Sequence, residues 1–561
     1  MIFRQATAAL LRRIRFRTQT VSAASRQSSN GLSTLLCKRK AFSCPHHEDC
    51  NFRWQQGDIR QHSNVLWIVI TGQAALFFGI GSCPVLAEDV ARVNSSEDSG
   101  ANVTGLQRIE DGSVVSNEHT SKWRIFTDNG MEFFMQGKLD EAQKLFLLAV
   151  EEAKEGFGEC DPHVASACNN LAELYRVRKV YDKAEPLYLQ AIKILEESFG
   201  TDDVRVGAAL HNLGKFYLMQ RKLEEARVCY ERALKIKGRV LGHGHPDYAD
   251  TMYHLGTVLY LQGNEKDAEA LISDSIRILE EVGLGESYIC ITRLRYLAQI
   301  MLKSDRLEEA ENVQRKILHI MELTKGWNSL DTVTAAESLA MTLQSVGKLR
   351  DAHDLLERCL DCRRSLLPQD HIQIAANKLS LARLAMLNFN RLRKPGTSAA
   401  VADLDKAKDL LKDTIRISQH VLDGLIKQKH NIRSYEPCED NKRDGKTALV
   451  ILLQSLHALG RLEITKQEFQ ESKEVSPALE AESSLRQCIS AYKEYGNGRL
   501  VPASAMETNR EYLSCLKQLL SLMTDKRGQS GGTSMGDLKD EITRVETVVS
   551  TGRKQRSHAS H

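Results

Sequence analysis

Apolar and polar positions alternate along most of the chain with the period of an amphipathic helix, and one helical pattern recurs at a fixed interval. Six alanines mark the recurrence, each 42 residues after the one before. A fixed period of this length predicts tandem copies of a single supersecondary unit. The alanines are Ala142, Ala184, Ala226, Ala268, Ala310 and Ala352.

Each alanine follows a phrase that ends one helix and opens the next. In GKLDEA, RKLEEA and DRLEEA, a Gly or a polar residue stops the first helix and acidic residues begin the second. A further small residue lies twelve positions before each alanine, as Gly214 does before Ala226. Two small residues at this separation let antiparallel helices approach closely. Every unit is therefore predicted to be a helical hairpin.

The order of Leu171, Ala172, Tyr175 and Ala184, and of Leu213, Gly214, Tyr217 and Ala226, is the tetratricopeptide pattern rather than the HEAT or armadillo pattern. The loop phrases FGECDPHVA and LGHGHPDYA, with NNLAELY and YDKAEPLYLQAIKI, resemble the repeats of kinesin light chains. The resemblance is strong over residues 160–270 and weaker over residues 280–390. It implies an all-α fold, a right-handed superhelical solenoid of tetratricopeptide hairpins whose first helices line the concave side.

The pattern also divides the chain into segments. After residue 352 the period slips, since the next equivalent alanine is Ala407. A solenoid needs a polar capping helix at its end, and residues 503–524 fit that role. The predicted segments are a targeting presequence (1–62), an apolar segment (63–87), a disordered linker (88–121), six regular repeats with the start of a seventh (122–390), degenerate repeats with the capping helix (391–524) and a disordered tail (525–561).

The first segment has the composition of an organelle presequence. It holds 11 Lys and Arg against 3 Asp and Glu, and the first acidic residue is Glu48. Arginines alternate with apolar and hydroxyl residues, which favours a mitochondrial presequence. A chloroplast transit peptide stays an alternative, because the helical segregation of these residues is only partial.

An uncharged stretch follows, with an apolar run that begins at Leu66 and ends at Gly81. This run is about long enough to cross a hydrocarbon layer. It predicts either a membrane anchor, in the inner mitochondrial membrane, or the second half of a bipartite signal that is cleaved before Glu88 and releases the body into the intermembrane space. A signal-anchor into a secretory lumen and a buried core helix are the weaker alternatives.

Charge and motifs exclude several classes of function. Beyond residue 62 the chain is net acidic, which argues against nucleic-acid binding. No phosphate loop, zinc-protease helix or nucleophile elbow is present, so we expect no catalytic residue and no cofactor. His243 and His245 lie in a loop phrase and are interpreted as loop residues, so we expect no metal site. The thirteen scattered cysteines indicate small buried residues and no disulfide framework.

Function is therefore predicted to lie on the first helices. With Leu171, Ala172 and Tyr175 on the core face, the opposite face alternates polar and apolar side chains that suit an extended peptide. Packing of neighbouring first helices against each other is the alternative for the apolar members. The predicted groove residues are Asn169, Asn170, Arg176, His211, Asn212, Lys215, Tyr253, Tyr260 and Arg295.

Together these features predict a non-catalytic scaffold or adaptor that binds peptide segments of partner proteins inside an organelle. The alternative is a cytosolic cargo adaptor for a motor, as in kinesin light chains. Residues 100–121 are polar and lack the heptad pattern through which kinesin light chains join the motor, so the scaffold is favoured.

Overall fold

The computed structural model describes residues 118–392, 398–431, 439–470, 476–496, 505–525 and 533–558. Within these ranges every regular element is helical. The predicted presequence, the apolar segment, residues 88–117 of the linker and the insertion near Lys394 lie outside the described residues.

Twelve helices of similar length form the first six repeats. They are α1 (Glu118–Met135), α2 (Leu139–Phe157), α3 (Pro162–Val177), α4 (Tyr181–Phe199), α5 (Val204–Met219), α6 (Leu223–Val240), α7 (Pro246–Leu261), α8 (Glu265–Glu281), α9 (Tyr288–Lys303), α10 (Leu307–Lys325), α11 (Leu330–Val346) and α12 (Leu349–Leu366). Each helix packs against the next one in the chain. The prediction of an all-α solenoid of helical hairpins is confirmed.

The hairpins close where the sequence places small residues. All six marker alanines are fully buried. A Cβ atom added at Gly214 would lie 2.8 Å from Cε1 of Tyr230, which follows Ala226 by one turn. The same conflict would arise between Gly130 and Phe146, at 2.7 Å. In these two hairpins the backbone of the first helix therefore contacts an aromatic ring of the second. A residue larger than glycine at this position would push the two helices apart.

The turn between the two helices of each hairpin has one conformation in all six repeats. The residue two positions before the second helix has a positive φ whether or not it is glycine. Three repeats use Gly137, Gly263 and Gly347, and the other three force Lys179, Arg221 and Asp305 to φ values of 61°, 63° and 59°. A side chain in this left-handed region is strained, since its Cβ crowds the following carbonyl oxygen.

The first helices begin at a capping residue that also keeps the 42-residue register. Asp161 accepts a hydrogen bond from the backbone N–H of His163 at 2.8 Å, and Asp203 caps α5 in the same way. At the equivalent place His245 accepts from the N–H of Asp247 through Nδ1, and His371 accepts from the N–H of Gln373. This capping role accounts for His245 as an ordinary loop residue.

The later repeats are longer. The seventh hairpin is α13 (Ile372–Leu392) with α14 (Ser398–Asn431), and the eighth is α15 (Glu439–Gln470) with α16 (Ser476–Ala491), which a π-helical turn extends to Gly496. Gly460 of α15 approaches Leu485 of α16 closely, as in the regular repeats. By length and composition, residues 444–468 of α15 could cross a membrane, but most of this stretch is buried against its neighbours, as in a core helix.

The C-terminal end differs from the prediction in two ways. Helix α17 (Met506–Asp525) lies where the capping helix is expected, but residues 533–558, predicted to be a disordered tail, form a further helix, α18 (Thr533–His558). Tyr512 of α17 donates to Glu541 of α18 at 3.0 Å. In addition, Cys488 and Cys515 form a disulfide between α16 and α17, whereas we expected Cys515 to be a reduced core residue.

We expect Arg221→Gly to stabilise the protein by about 1 kcal/mol, because glycine removes the left-handed strain while the exposed arginine side chain loses no contact. Thermal unfolding followed by circular dichroism measures the change. Gly263→Ala is the matched control at the same turn position, where nothing lies within 4 Å of an added Cβ and strain alone should destabilise the fold. A lower midpoint for Arg221→Gly would contradict the prediction.

Candidate functional site

The nine predicted groove residues lie on four successive first helices, α3, α5, α7 and α9. Only Tyr260 and Arg295 are half-buried. The expectation of an exposed face is wrong for the other seven, because residues about 43 positions apart on neighbouring first helices contact each other. The buried seven are Asn169, Asn170, Arg176, His211, Asn212, Lys215 and Tyr253.

A hydrogen bond between two asparagines joins the second and third repeats. Nδ2 of Asn212 on α5 donates to Oδ1 of Asn169 on α3 at 3.1 Å, and both side chains are buried. A buried amide is costly unless it is hydrogen-bonded. This pair therefore stabilises repeat stacking, and its amides are not exposed as the prediction of a peptide-binding face requires.

Arg176 belongs to a second buried network, inside the second repeat. Its Nε and a terminal nitrogen donate to Oε2 of Glu173 at 3.0 and 2.8 Å. The other carboxylate oxygen accepts from the hydroxyl of Tyr188 on α4. Burial, together with the negative charge of Glu173, raises the pKa of Tyr188 well above its usual value. The hydrogen bonds among Arg176, Glu173 and Tyr188 therefore stabilise the hairpin, and a further nitrogen of Arg176 contacts Sδ of Met219 on α5 at 2.8 Å.

A cluster of two histidines and one aspartate joins the third and fourth repeats. Nε2 of His211 on α5 lies 3.2 Å from Oδ2 of Asp250 on α7, and Nε2 of His254 lies 3.9 Å from Oδ1. Arg293 of α9 donates to the same Oδ1 at 3.0 Å. The two imidazole rings are buried, whereas the Asp250 side chain is 41% exposed.

The electrostatics of this cluster favour neutral imidazoles beside a charged carboxylate. Burial lowers the pKa of His211 to about 4, and the charge of Lys237 acts in the same direction. Burial also lowers the pKa of His254 well below its usual value, although Asp250 opposes this shift. Burial alone would raise the pKa of Asp250, but His254, His211 and Arg293 together hold it well below its usual range.

Sequence analysis missed Asp250, His254 and Arg293. A signal was present, since His211 and His254 are separated by 43 residues, as Asn169 and Asn212 are. Asp250 precedes His254 by four residues, which places both on one side of a helix. The separation could not be interpreted without knowing how far apart neighbouring first helices stand.

Aromatic side chains continue the same row into the fourth and fifth repeats. The Tyr253 ring lies 5.9 Å from that of Tyr296, and the half-buried Tyr260 ring lies 5.8 Å from the same partner. Nζ of Lys303 lies over the Tyr260 ring, 5.0 Å from its centre. Tyr253 is therefore a core residue, and only Tyr260 is placed where a ligand could reach it.

An ion pair occupies the equivalent row in the sixth repeat. The guanidinium of Arg363 on α12 donates to both carboxylate oxygens of Glu337 on α11, and Asn377 on α13 donates to Oε1 at 3.2 Å. Both charged side chains are almost fully buried. Burial raises the pKa of Glu337, although Arg363 opposes the shift. The buried charge pair thus lies within the sixth hairpin, and Asn377 connects it to the seventh repeat.

A comparison with protein families matches the tetratricopeptide repeat model to residues 163–237, 205–281 and 288–365, which together extend from α3 to α12. Residues 163–281 and 288–365 are tetratricopeptide repeats. No curated protein matches the chain. The matched residues cover the second to sixth repeats.

Several solved structures are similar to this chain. A structure from Podosopora anserina, described as kinesin light chain TPR-like repeats, is 19% identical, with a TM-score of 0.34 over 37% of this chain and 98% of that one. The apo quorum sensor NprR from B. thuringiensis is 10% identical, with a TM-score of 0.40 over 76% and 98%. A Rap protein complexed with competence and sporulation factor is 12% identical, with a TM-score of 0.31 over 73% and 98%.

We expect Tyr253→Ala to destabilise the protein by about 3 to 5 kcal/mol, because it removes a buried ring from contact with Tyr296. Arg295→Ala, in the same row of the next repeat but half-buried, should cost much less. Thermal unfolding of the two full-length variants compares them directly. Equal midpoints would show that Tyr253 is not part of the core.

Proposed function

We propose that the protein is a non-catalytic scaffold that binds an extended segment of a partner protein along α9 and α11. Tetratricopeptide repeats build extended interaction surfaces. The supporting observation is a half-buried stripe that runs along both helices at three- to four-residue spacing. The stripe residues are Thr292, Arg295, Gln299 and Leu302 on α9, and Thr334, Ser338, Met341 and Ser345 on α11.

The stripe keeps the repeat register. Gln299 and Met341 are equivalent positions 42 residues apart, as are Thr292 and Thr334. On α3, α5 and α7 the positions equivalent to Gln299 hold Glu173, Lys215 and Thr257, all of them buried. A segment that crosses α9 and α11 would therefore meet the same kind of surface twice, whereas the earlier first helices do not offer it.

The side chains of the stripe match the needs of an extended backbone. Ser338 and Thr334 donate their hydroxyl protons to carbonyls of their own helix, at 3.0 and 2.8 Å, so their lone pairs can accept from a peptide N–H. Gln299 offers both a donor and an acceptor. Met341 supplies an adaptable apolar contact. Backbone recognition combined with one or two apolar contacts is the usual means of binding an extended segment.

Site-specific photo-crosslinking tests the binding surface. A benzoylphenylalanine at Gln299 or at Met341 should capture the same partner through the same short segment, identified by mass spectrometry. The control position is Leu323 on α10, which is 62% exposed and lies on a second helix. Gln299→Ala with Met341→Ala should weaken binding of that segment about tenfold or more, since each contact contributes about 1 kcal/mol. Equal capture from Leu323, or full affinity in the double variant, would refute the proposed surface.

We further propose that the scaffold acts in an organelle, and that this organelle is the mitochondrion. The repeats would then lie beyond the apolar segment, on the side of the membrane away from the basic flank. Support comes from the arginine-rich start of the chain, whose first 47 residues lack Asp and Glu. A basic flank followed by an apolar run also sets the orientation of a membrane segment, because the basic flank stays on the side of the membrane from which the chain is inserted. The alternative is a chloroplast location.

A fusion of residues 1–90 to a fluorescent reporter tests this location. We expect mitochondrial signal, and Arg12→Glu with Arg13→Glu should abolish import because the basic character of the presequence is lost. Chloroplast signal in plant cells would support the alternative. A diffuse cytosolic reporter would refute targeting and favour the motor-adaptor function.

A further inference from the structure

The cluster that joins the third and fourth repeats brings three metal-binding groups to one point. Asp250 and His254 are one helical turn apart on α7, and His211 faces them from α5. One donor atom of each residue lies within 4.8 Å of the other two. Two donors at this spacing on one helix and a third from its neighbour form the usual arrangement of a helical metal site.

Thr251 can hold His211 in the tautomer that a metal ligand needs. Nδ1 of His211 lies 3.1 Å from the hydroxyl of Thr251, which donates to the carbonyl of Asp247 and can accept from Nδ1. In that tautomer Nε2 presents its lone pair towards Asp250. Without an ion the proton can stay on Nε2 and be donated to Oδ2 of Asp250, 3.2 Å away, so binding of a cation displaces this proton.

The separation between His211 and Asp250 is one that a bound metal ion would produce. Ligands about 2.0 to 2.1 Å from a tetrahedral ion lie about 3.3 Å from one another. Nε2 of His211 lies 3.2 Å from Oδ2 of Asp250, which matches this value. Nε2 of His254 lies 3.9 Å from Oδ1, the oxygen that Arg293 holds, so the His254 side chain must rotate towards Oδ2 for the three residues to bind one ion.

The surrounding residues supply the supporting contacts of a metal centre. Thr251 orients His211, and Arg293 holds Oδ1 of Asp250, which leaves Oδ2 as a single-atom ligand. Such outer contacts fix ligand orientation. The charges of Arg293, and of Lys215 and Lys237 near the imidazoles, oppose a cation, so the affinity should be lower than that of a thiolate site.

We propose that His211, Asp250 and His254 bind one Zn²⁺ ion that links α5 to α7. Two imidazoles and a carboxylate favour zinc over magnesium or calcium, which prefer oxygen donors. Three protein ligands leave one coordination position open, and the partial exposure of Asp250 lets water reach it. The ion would fasten two repeats that otherwise meet only through packing and hydrogen bonds.

Calorimetric titration of the full-length protein with Zn²⁺ tests the site. The chain should carry Cys44→Ser and Cys50→Ser, which remove the two thiols that flank His46 and His47 near the N-terminus and could otherwise bind zinc. We expect one bound ion per chain and a thermal midpoint that rises with zinc and falls with chelator. His211→Gln and His254→Gln should each weaken binding about tenfold or more. His243→Gln, in a nearby loop, is the matched control and should bind as the parent does.

Two further measurements test the proposal even if a histidine variant fails to fold. Asp250→Asn retains the shape of the side chain and should still lose the ion. Zinc-edge X-ray absorption of the loaded parent should show imidazole and oxygen ligands without sulfur. No bound ion in the parent, unchanged affinity in the folded variants, or sulfur ligation would each overturn the proposal.

Discussion

The structure depends on the close approach of two helices at a pair of small residues in every repeat. Ala226 and Gly214 show why: the ring of Tyr230 fills the space that a Cβ on Gly214 would need. With the crossing fixed, the turn before it and the cap of the next first helix must also recur, as the strained Arg221 and the capping His245 do. The 42-residue period therefore preserves a packing geometry more strictly than it preserves residue identity.

A constant geometry with variable side chains explains the inner rows of the solenoid. One position is Asn169 in the second repeat, His211 in the third, Tyr253 in the fourth and Glu337 in the sixth. Each side chain at this position has a different partner: an amide for Asn169, a carboxylate for His211, an aromatic ring for Tyr253 and a guanidinium for Glu337. In the fifth and sixth repeats Gln299 and Met341 stay half-buried, and the proposed binding surface lies there for that reason.

Local signals made much of the fold predictable. Small residues, turn phrases and capping residues act within one hairpin, so the sequence alone indicated the hairpins. The burial of Asn169 and Tyr253 was not predictable in this way, because it depends on the distance between helices 42 residues apart. Helix α18 was missed because its few apolar residues, such as Ile542 and Val545, become a signal only against α17. Cys488 and Cys515 likewise show no regular spacing that would pair them.

The buried pair of Glu337 and Arg363 bears on the order in which similar units stack. Consecutive repeats have nearly the same outline, so a hairpin could dock onto a wrong neighbour and form an off-pathway species, a known failure of repeat proteins. A misplaced seventh repeat would leave Asn377 away from Glu337, and a misfolded sixth hairpin would bury one charge without the other, which costs about 3 to 5 kcal/mol. Because the pair lies inside the sixth hairpin and its Glu337 accepts a hydrogen bond from Asn377 of the seventh, this junction favours its own partner over another hairpin during folding.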